Sequence, residues 1–336
     1  MNWGIIGLGF MAKKFANSIK ELENSKLIGA SSKSFFRLIK FGYKNQINPK
    51  YLFKDYKKIL SCEEIDNIYI CSLNNTHHDL IIKCIEAGKN ILCEKPFVVD
   101  YLEAENIKKK LIKTNIFFLE GIAYRSHPQT EKVIELLKEN IIGNITEIKS
   151  NFGFNAGAPN KKGRLFSKNL GGGSILDLGC YPISMSNLIA NFKNKKEEMV
   201  PEISEVTGRF YSEGVDLNAK AKLTYDNSIT ASIEVAIDQN LENFTEICGT
   251  HGKIRILEPW LPQNKSVIEI HKNNQIQKFN IESNLSIFAN QIKLFDKFAN
   301  LNKIESDSNA MSLENSMNYL KVMSKWRELL KKNESR

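Results

Sequence analysis

The chain has 336 residues, of which 42% are hydrophobic and 25% are charged. This composition is typical of a globular protein long enough for two domains, and it excludes a disordered or fibrous chain. Basic residues exceed acidic ones by nine, but they are spread along the sequence and the local Lys clusters lie beside acidic residues. We therefore expect no nucleic-acid partner. No apolar run reaches the roughly 18–20 residues that span a bilayer, so we expect no membrane partner either.

The cysteines and histidines show no metal-binding pattern. The six cysteines form no C-x-x-C pair and have no zinc-finger spacing with a histidine, and H-E-x-x-H is absent. We therefore expect no metal ion. Residues 2–9 have the pattern of a strand and its turn, which differs from that of a signal peptide. Together with cysteines in apolar runs, such as Cys71 and Cys93, this predicts a protein of the reducing cytoplasm.

The first 120 residues alternate between short apolar strands and amphipathic helices. The predicted strands are Asn2–Gly7, Lys26–Ser31, Asn67–Ser72, Asn90–Cys93 and Ile116–Leu119. The predicted helices are Phe10–Glu23, Leu80–Ala87 and Tyr101–Thr114. Such alternation predicts an α/β domain, a parallel sheet covered by helices. We place this domain at residues 1–123.

The rhythm changes after about residue 125. The predicted helices of the second half are Gln129–Asn140, Ser174–Ala190, 285–301 and 309–332. The predicted strands are consecutive, at 203–211, 217–225, 229–237, 244–249, 252–257, 266–271 and 275–280. Because consecutive strands usually pair antiparallel or in a mixed sheet, residues 124–336 are predicted to form an α+β domain with a large, mostly antiparallel or mixed sheet. Its C-terminal helix could pack back on the first domain.

The turn after the first strand carries the motif G-x-G-x-x-A at Gly7–Ala12. Gly7 permits a tight turn, Gly9 lets the backbone approach a pyrophosphate, and Ala12 allows the helix to pack closely on the strand. The first amides of the following helix, which begins at Phe10-Met11, can bind the phosphates. Strand, turn and helix in this order predict a Rossmann domain that binds a dinucleotide. A purely structural glycine turn is the alternative.

The end of the second predicted strand bears on the choice of cofactor. Rossmann domains that prefer NAD place an Asp or Glu there to bind the ribose hydroxyls. Residues 24–54 contain no acid, and the strand is followed by Ser32, Lys33 and Arg37. A hydroxyl and two cations suit a ribose 2′-phosphate, so we predict NADP as the preferred cofactor, with NAD as the other candidate. The alternative is that both cations are ordinary solvated charges.

Further motifs follow other strand ends, where parallel sheets bind their ligands. Glu94-Lys95-Pro96 follows the fourth predicted strand, and Leu73–His78 follows the third. The chain resembles the glucose–fructose oxidoreductase / inositol dehydrogenase family, also called Gfo/Idh/MocA, at Gly7–Ala12, Asn74–His78, Glu94-Lys95-Pro96 and the segment Gly171–Pro182. The segment Glu120–Pro128 is similar to the branch that contains dimeric dihydrodiol dehydrogenase and xylose dehydrogenase. The resemblance extends over nearly the whole chain.

This resemblance implies a Rossmann domain followed by a sheet-rich domain that binds substrate and forms oligomer contacts. It implies NAD(P)-dependent oxidation or reduction at a CH–OH group, often of a sugar. By position, Lys95 matches the family's catalytic lysine, and Asp177 and Tyr181 match its second-domain catalytic pair. Many members have His at the Tyr181 position, so this chain follows the dihydrodiol dehydrogenase branch. We expect a sugar-like small-molecule substrate and a homo-oligomer, a dimer or tetramer, formed through the second-domain sheet.

The residues themselves agree with these roles. Asp177 and Tyr181 are four positions apart and share one face of a helix, and Gly171–Gly173 lets the backbone enter that helix close to a ligand. Beyond the residues already assigned to the cofactor, further contacts to it are expected from Leu73, Asn74, His77, Glu94 and Lys95. Substrate contacts are expected from Arg125, Asp177 and Tyr181. Packing of Tyr181, an ion pair of Arg125 and a polar helix start at His77 are the alternatives.

The resemblance also leaves other functions open. A dinucleotide- or sugar-binding regulator without turnover has the same fold, although Lys95, Asp177 and Tyr181 are retained here. A nucleotide-linked sugar of glycan biosynthesis, an aldehyde or a dihydrodiol would each change only the substrate. Reduction of a carbonyl panel with NADPH, followed by the loss of its absorbance, separates an enzyme from a regulator.

Overall fold

The computed structural model describes residues 1–159, 163–193, 198–211, 214–301, 303 and 308–334. The chain divides into two compact units. Unit 1 comprises residues 1–123 and 285–313, and unit 2 comprises residues 124–284 and 314–336. The sequence prediction assigned 285–313 to the second domain, whereas the structure places this segment in unit 1. None of the described helices is long and apolar enough to cross a membrane.

In chain order, the strands are β1 (Asn2–Ile6), β2 (Lys26–Ser31), β3 (Leu52–Phe53), β4 (Asn67–Ile70), β5 (Asn90–Cys93), β6 (Phe118–Glu120), β7 (Ile145–Gly153), β8 (Glu202–Tyr211), β9 (Val215–Thr224), β10 (Thr230–Ala236), β11 (Phe244–Gly249), β12 (Gly252–Ile256), β13 (Lys265–Lys272) and β14 (Gln275–Glu282). The helices are α1 (Phe10–Ser18), α2 (Phe35–Lys44), α3 (Tyr56–Leu60), α4 (His77–Glu86), α5 (Tyr101–Leu111), α6 (Pro128–Lys138), α7 (Ser174–Leu178), α8 (Cys180–Ala190), α9 (Ile287–Leu301) and α10 (Leu313–Glu334).

The sheet of unit 1 is parallel and has the strand order β3-β2-β1-β4-β5-β6. This is the order of a Rossmann dinucleotide-binding sheet, whose ligand crevice lies where the order reverses, beyond the carboxyl ends of β1 and β4. Strand β4 is buried along its whole length, as its uninterrupted apolar run predicts. The predicted fold class is confirmed for this half of the chain.

The segment between β2 and β4 holds elements that the sequence prediction omits. Helix α2 begins after Ser34, whose hydroxyl accepts a hydrogen bond from the amide of Arg37, and α3 begins after the capping residue Asp55. Large apolar residues lie on the exposed side of α2 as well as on its buried side, among them Phe36 and Tyr43. The buried Leu38 and Phe41 nevertheless give α2 an apolar face, a pattern that the sequence analysis missed.

Aromatic packing explains why residues 285–313 belong to unit 1. The ring of Phe295, on α9, lies 4.7 Å from that of Trp3 and 4.9 Å from that of Phe117. The indole nitrogen of Trp3 also donates to Asp296 at 3.1 Å. Trp3 and Phe117 are 292 and 178 residues away from Phe295 in sequence. Helical periodicity, which is a local pattern, therefore could not assign α9 to this core.

Unit 2 is built on an eight-stranded sheet with the order β14-β13-β12-β11-β7-β10-β9-β8. Strands β7 and β10 pair in parallel, and the other neighbours pair antiparallel. The predicted mixed, mostly antiparallel sheet is therefore confirmed. The prediction omits β7, which lies in the interior of the sheet, because its sequence ITEIKSNFG is rich in polar residues. Pairing on both edges, which the local sequence does not show, makes it a strand.

The predicted helix Ser174–Ala190 is two helices in the structure, α7 and α8, joined at Gly179. Pro182 has no amide hydrogen, so the carbonyl of Leu178 receives no helical hydrogen bond from it. Gly179 nevertheless keeps right-handed helical angles, with φ −60° and ψ −28°. Asp177 and Tyr181 therefore stay about one turn apart.

Candidate active site

The turn after β1 has a backbone that requires glycine at its first position. Gly7 has a φ of +95°, in the left-handed region, and a Cβ there would lie 2.7 Å from the amide nitrogen of Ser72. A side chain at residue 7 would therefore separate β1 from the segment that follows β4. The turn after β1 and the segment after β4 can approach this closely only because residue 7 is glycine.

The start of α1 fits the pyrophosphate of a dinucleotide. Gly9 precedes the helix, no side chain caps it, and the first turn has no acid. A Cβ at Gly9 would meet nothing within 4 Å. The space beside the first helical amides, those of Phe10 and Met11, is therefore open to a ligand. Ala12 is fully buried, as close packing of helix on strand requires. Orphan amides and the positive end of the helix dipole favour phosphate here.

The end of β2 carries a hydroxyl and two exposed cations. The Ser32 hydroxyl accepts a hydrogen bond from the amide of Ser34 at 3.3 Å. The side chains of Lys33 and Arg37 are exposed, and neither forms an ion pair with any residue that the structure describes. A hydroxyl and two cations can bind a phosphate group, and the acid that binds a ribose diol in other Rossmann domains is absent from this strand end.

The segment after β4 contains both an open and a buried group. The side chain of Leu73 is 43% exposed, whereas Asn74 is buried and its amide nitrogen has no hydrogen-bond partner among the described residues. A buried donor without a partner is costly, and a ligand atom at this edge of the sheet would satisfy it.

His77 lies at the start of α4 and has no exposed surface. Its Nδ1 lies 2.9 Å from the carbonyl oxygen of Pro96, and its Nε2 lies 3.3 Å from that of Ser72. The imidazole thus connects the segment after β4 with the segment after β5. The structure places His77 as a support for these two loops and not on their surface.

The loop that carries Lys95 is held by buried hydrogen bonds. The hydroxyl of Tyr69, on β4, donates to the Glu94 carboxylate at 2.5 Å, and the Glu120 carboxylate accepts the amide of Phe97 at 2.9 Å. Burial, and then the Glu94 charge, hold the pKa of Tyr69 well above its usual range. The Lys95–Pro96 peptide is cis, and Lys95 is less buried than its neighbours. The sequence analysis identified neither Tyr69 nor Glu120 as supports of this loop.

In unit 2, glycines bring the chain to the start of α7. Gly171 and Gly173 have φ of +69° and +115°, and a Cβ on Gly173 would collide with the Asp216 carboxylate. That carboxylate accepts the Ile175 amide at 2.6 Å and the Ser174 hydroxyl at 2.8 Å. Burial raises the pKa of Asp216, against these hydrogen bonds. Asp216 thereby fixes the first turn of the helix that carries Asp177.

Asp177 is buried and forms an ion pair with Arg164 at 2.7 Å. Arg164 lies in the loop before the glycines, thirteen residues upstream, and the sequence analysis did not identify it. A buried carboxylate that has a cation partner can remain ionised, because its charge is compensated within the protein.

Every residue of α8 is buried except Tyr181. Aromatic rings surround its phenol ring, with centroids 5.0 Å away at Phe152, 5.8 Å at Trp260 and 6.3 Å at Tyr124. The ring of Trp260 is itself fixed, since its indole nitrogen donates to the carbonyl of Asn151 at 2.8 Å. The side chain of Tyr181 is therefore positioned by packing while part of it stays accessible.

Arg125 is only 4% exposed, and its guanidinium donates to the carbonyl oxygen of Ser184, on α8, at 3.2 Å. The structure thus places this predicted substrate residue among the supports of α8. Within the described residues, no cluster of three or more His, Cys, Asp or Glu side chains could hold a metal ion.

Two family models match the chain. Residues 1–121 match the oxidoreductase family with an NAD-binding Rossmann fold, and residues 130–255 match the GFO/IDH/MocA C-terminal domain. The chain belongs to the GFO/IDH/MocA family. The predicted resemblance is therefore confirmed, and the Rossmann unit is that of a nicotinamide-dinucleotide-dependent oxidoreductase.

Individual relatives agree with this assignment. The chain is 28% identical over 282 residues to trans-1,2-dihydrobenzene-1,2-diol dehydrogenase of Xenopus tropicalis, covering 83% of this chain and 81% of the relative. The fold is similar to that of the 3-ketoreductase KijD10 of Actinomadura kijaniata, solved with NADP and TDP-benzene, with a TM-score of 0.84, 21% identity and 96% of each chain covered. It is also similar to aldose-aldose oxidoreductase of Caulobacter crescentus, with a TM-score of 0.87, 18% identity and coverage of 99% and 98%.

Proposed function

We propose that the protein is an NADP-preferring oxidoreductase that transfers a hydride between nicotinamide and a secondary alcohol or carbonyl carbon of a sugar-like or polyol substrate. The observation that carries the proposal is the position of Tyr181. It is the one accessible residue of the otherwise buried helix α8, and it lies one turn from the buried, charge-paired Asp177. A phenol presented in this way suits proton exchange with a substrate oxygen.

Unit 1 would bind the cofactor, which supplies the hydride chemistry when bound. The amides at the start of α1 would hold the pyrophosphate, and Ser32, Lys33 and Arg37 would hold the ribose 2′-phosphate. Leu73 and Asn74 would contact the dinucleotide after β4. His77 and Glu94 would act by holding the loop of Lys95, as their buried hydrogen bonds support.

Lys95 would stabilise negative charge that develops on the substrate oxygen. A fixed cation does this best where the surrounding groups need no rearrangement, and the loop of Lys95 is fixed by Tyr69, His77 and Glu120. In unit 2, Tyr181 would give or accept the proton, and Asp177 would accept a hydrogen bond from a neighbouring substrate hydroxyl. The ion pair with Arg164 compensates the charge of that carboxylate.

The names of the relatives support the substrate class. A dihydrobenzenediol and an aldose both carry a secondary alcohol beside a second hydroxyl group, and one charged acceptor next to one phenol can bind such a pair. We extend this class to the present protein as a small polyhydroxylated molecule. A nucleotide-linked sugar belongs to the same screen, because it presents the same pair of hydroxyls.

The cellular setting is part of the proposal. All six cysteines are free, and Cys71, Cys84, Cys93 and Cys180 are buried, which is typical of a reducing compartment, so we propose a cytoplasmic protein. We also propose a homo-oligomer formed through the sheet of unit 2. Sedimentation at several protein concentrations tests the second point, and a monomer at all of them would refute it.

The experiment that tests the function is a screen of NADP+-dependent oxidation over polyols, aldoses and trans-dihydrodiols, followed at the absorbance of NADPH. The reverse reaction, with NADPH and the matching carbonyl compounds, belongs to the same screen. Turnover that is lost in Tyr181→Phe supports the proposal. NADPH binding without turnover on any member of the panel would instead identify a regulator of this fold.

A further inference from the structure

Most of the net positive charge of the chain comes from one segment, although basic residues occur throughout the sequence. Residues 24–54 contain seven Lys and Arg and no Asp or Glu, which leaves 40 basic and 38 acidic residues in the other 305 positions. Because basic residues also occur throughout the rest of the chain, the overall composition does not reveal this segment. It begins just before β2, includes α2 and ends directly after β3. Two of its cations, Lys33 and Lys54, closely follow the carboxyl ends of these neighbouring strands, and Arg37 lies in the first turn of α2.

The register of these strands brings Lys54 to the end of β2. Ser31 pairs with Phe53, and the amide of Ser32 donates to the carbonyl of Phe53 at 3.1 Å. The next residue along each strand is then Ser32 on one side and Lys54 on the other. Lys54 therefore lies beside the turn that carries Ser32 and Lys33, although it is 22 residues further along the sequence.

The side chain of Lys54 is directed towards this turn. Its Nζ lies 4.6 Å from the ring centroid of Phe35, the first residue of α2, so a cation–π contact holds the ammonium at the start of this helix. Lys54 is exposed and has no ion pair among the described residues. The carboxylate of the adjacent Asp55 caps α3, where it accepts the amide of Lys57 at 2.9 Å, and forms no ion pair with Lys54 in the part of the chain that the structure describes.

We propose that Lys54 is a third cation for the ribose 2′-phosphate and that it determines cofactor specificity together with Lys33 and Arg37. The ligand chemistry is a phosphate monoester, which several cations bind through charge-assisted hydrogen bonds. The inference rests on the proposed preference for NADP. It adds a residue from β3 to a site otherwise made by β2 and α2.

The test is fluorescence titration of Lys54→Gln with NADPH and with NADH, which measures binding without turnover. We expect the Kd for NADPH to rise about tenfold, as for one lost hydrogen bond to a charged group. The Kd for NADH, which has no 2′-phosphate, should change less than about twofold. Since Lys54 is exposed, the variant should fold, and its circular dichroism and melting temperature check this.

Lys50→Gln is the matched control. Lys50 belongs to the same basic segment and also lies over an aromatic ring, that of Tyr51 at 4.3 Å, but it faces Glu64 at 3.9 Å. The Lys50→Gln variant also loses one positive charge, but at a position away from the end of β2. We therefore expect its affinity for NADPH to change less than about twofold. A rise equal to that of Lys54→Gln would assign the effect to net charge and overturn the proposal.

Phe35→Leu is a second variant, which removes the ring and keeps the cation. We expect a smaller rise in the Kd for NADPH than in Lys54→Gln. If the wild-type protein prefers NADPH and the Lys54→Gln variant keeps this preference, the role of Lys54 is overturned and the proposed NADP preference stands. A wild-type protein that binds both dinucleotides equally would overturn the NADP preference, and the role of Lys54 with it.

Discussion

In unit 1 the candidate catalytic residue Lys95 lies in a short loop after a strand end, whereas in unit 2 Asp177 and Tyr181 lie on helices α7 and α8. The loop of Lys95 is fixed by directional hydrogen bonds from the side chains of Tyr69, His77 and Glu120. Tyr181 is fixed by the rings of Phe152, Trp260 and Tyr124. Charge placement thus depends on directional bonds, and phenol placement depends on apolar packing.

This difference predicts how each site should respond to change. Directional bonds fix an atom to within a few tenths of an ångström but are lost when one partner is removed. Aromatic packing is shared among several neighbours, so it tolerates the loss of a single polar atom. Variants of single functional groups should therefore affect the proposed chemistry, while matched variants elsewhere should affect only stability.

The largest effect is expected for Lys95→Met, which keeps most of the side-chain length and removes the charge. We expect kcat to fall by about 10³-fold, the upper range for loss of one group that stabilises a developing negative charge. NADPH binding should persist, because Gly7–Ala12 is unchanged. Steady-state or stopped-flow kinetics measures kcat, and fluorescence titration measures the Kd for NADPH.

Lys83→Met is the control for this variant. Lys83 lies on α4, partly exposed and 3.9 Å from Glu86, so its replacement should leave kcat within about twofold. A fully active Lys95→Met enzyme would contradict the proposed role of the charge and leave Lys95 as a loop residue.

Tyr181→Phe should have the next largest effect. The phenylalanine ring keeps the contacts with Phe152 and Trp260, and only the ionisable hydroxyl is lost. We expect kcat to fall by about 10²-fold, within the range for general acid–base catalysis, with an unchanged Kd for NADPH. Initial rates over a pH series measure the loss.

Tyr225→Phe is its counterpart, because Tyr225 follows β9 and its hydroxyl contacts the same helix. The hydroxyl of Tyr225 is buried and donates to Asn187, on α8, at 2.7 Å. Its loss should lower the melting temperature and leave kcat nearly unchanged. If both variants lost activity alike, Tyr181 would be a packing residue.

A smaller effect concerns the stability of unit 2. Burial lowers the pKa of His127 from 6.5 to about 4, so the unfolded chain binds a proton that the folded chain does not bind between these values. The free energy of unfolding should therefore fall as the pH decreases through this range, by about 2 kcal/mol between pH 7 and pH 5. Urea unfolding at the two pH values measures the difference.

His127→Asn should remove part of this pH dependence. His127 caps α6, and its Nδ1 accepts the amide of Gln129 at 3.1 Å; Asn is an effective cap that does not titrate. A variant that loses as much stability as the wild type on acidification would show that other groups cause the loss.

The smallest effect is expected for Ser32→Asp. The new carboxylate would repel a 2′-phosphate and accept hydrogen bonds from a ribose diol. We expect the ratio of the Kd values for NADPH and NADH to shift by about tenfold towards NADH, roughly the value of one charged hydrogen bond. An unchanged ratio would mean that the end of β2 does not contact the ribose.

Sequence and structure agree most closely where a motif fixes the backbone. Gly7 and Gly9 were identified from the motif alone, and their angles and surroundings match the expected turn. The pair Asp177 and Tyr181 was identified from helical spacing, which survives the break at Gly179. In both cases the signal lies within a few residues, where local sterics decide the conformation.

Other assignments needed the tertiary structure. His77 and Arg125 have the chemistry of ligand contacts, yet both are buried against backbone carbonyls. Tyr69, Glu120 and Arg164 act on residues 13 to 25 positions away in sequence. No local pattern distinguishes such supports from ordinary core or surface residues.

The sequence by itself determined the alternation of strands and helices, the glycine turn and the acid-free end of β2, because each depends on backbone sterics or on charge within a short segment. The tertiary structure decided that β7 is a central strand, that α9 packs in unit 1 and that Lys54 lies beside Ser32. Each of these depends on which distant residues pair or pack together, and that choice is made by burial and hydrogen bonding over the whole unit.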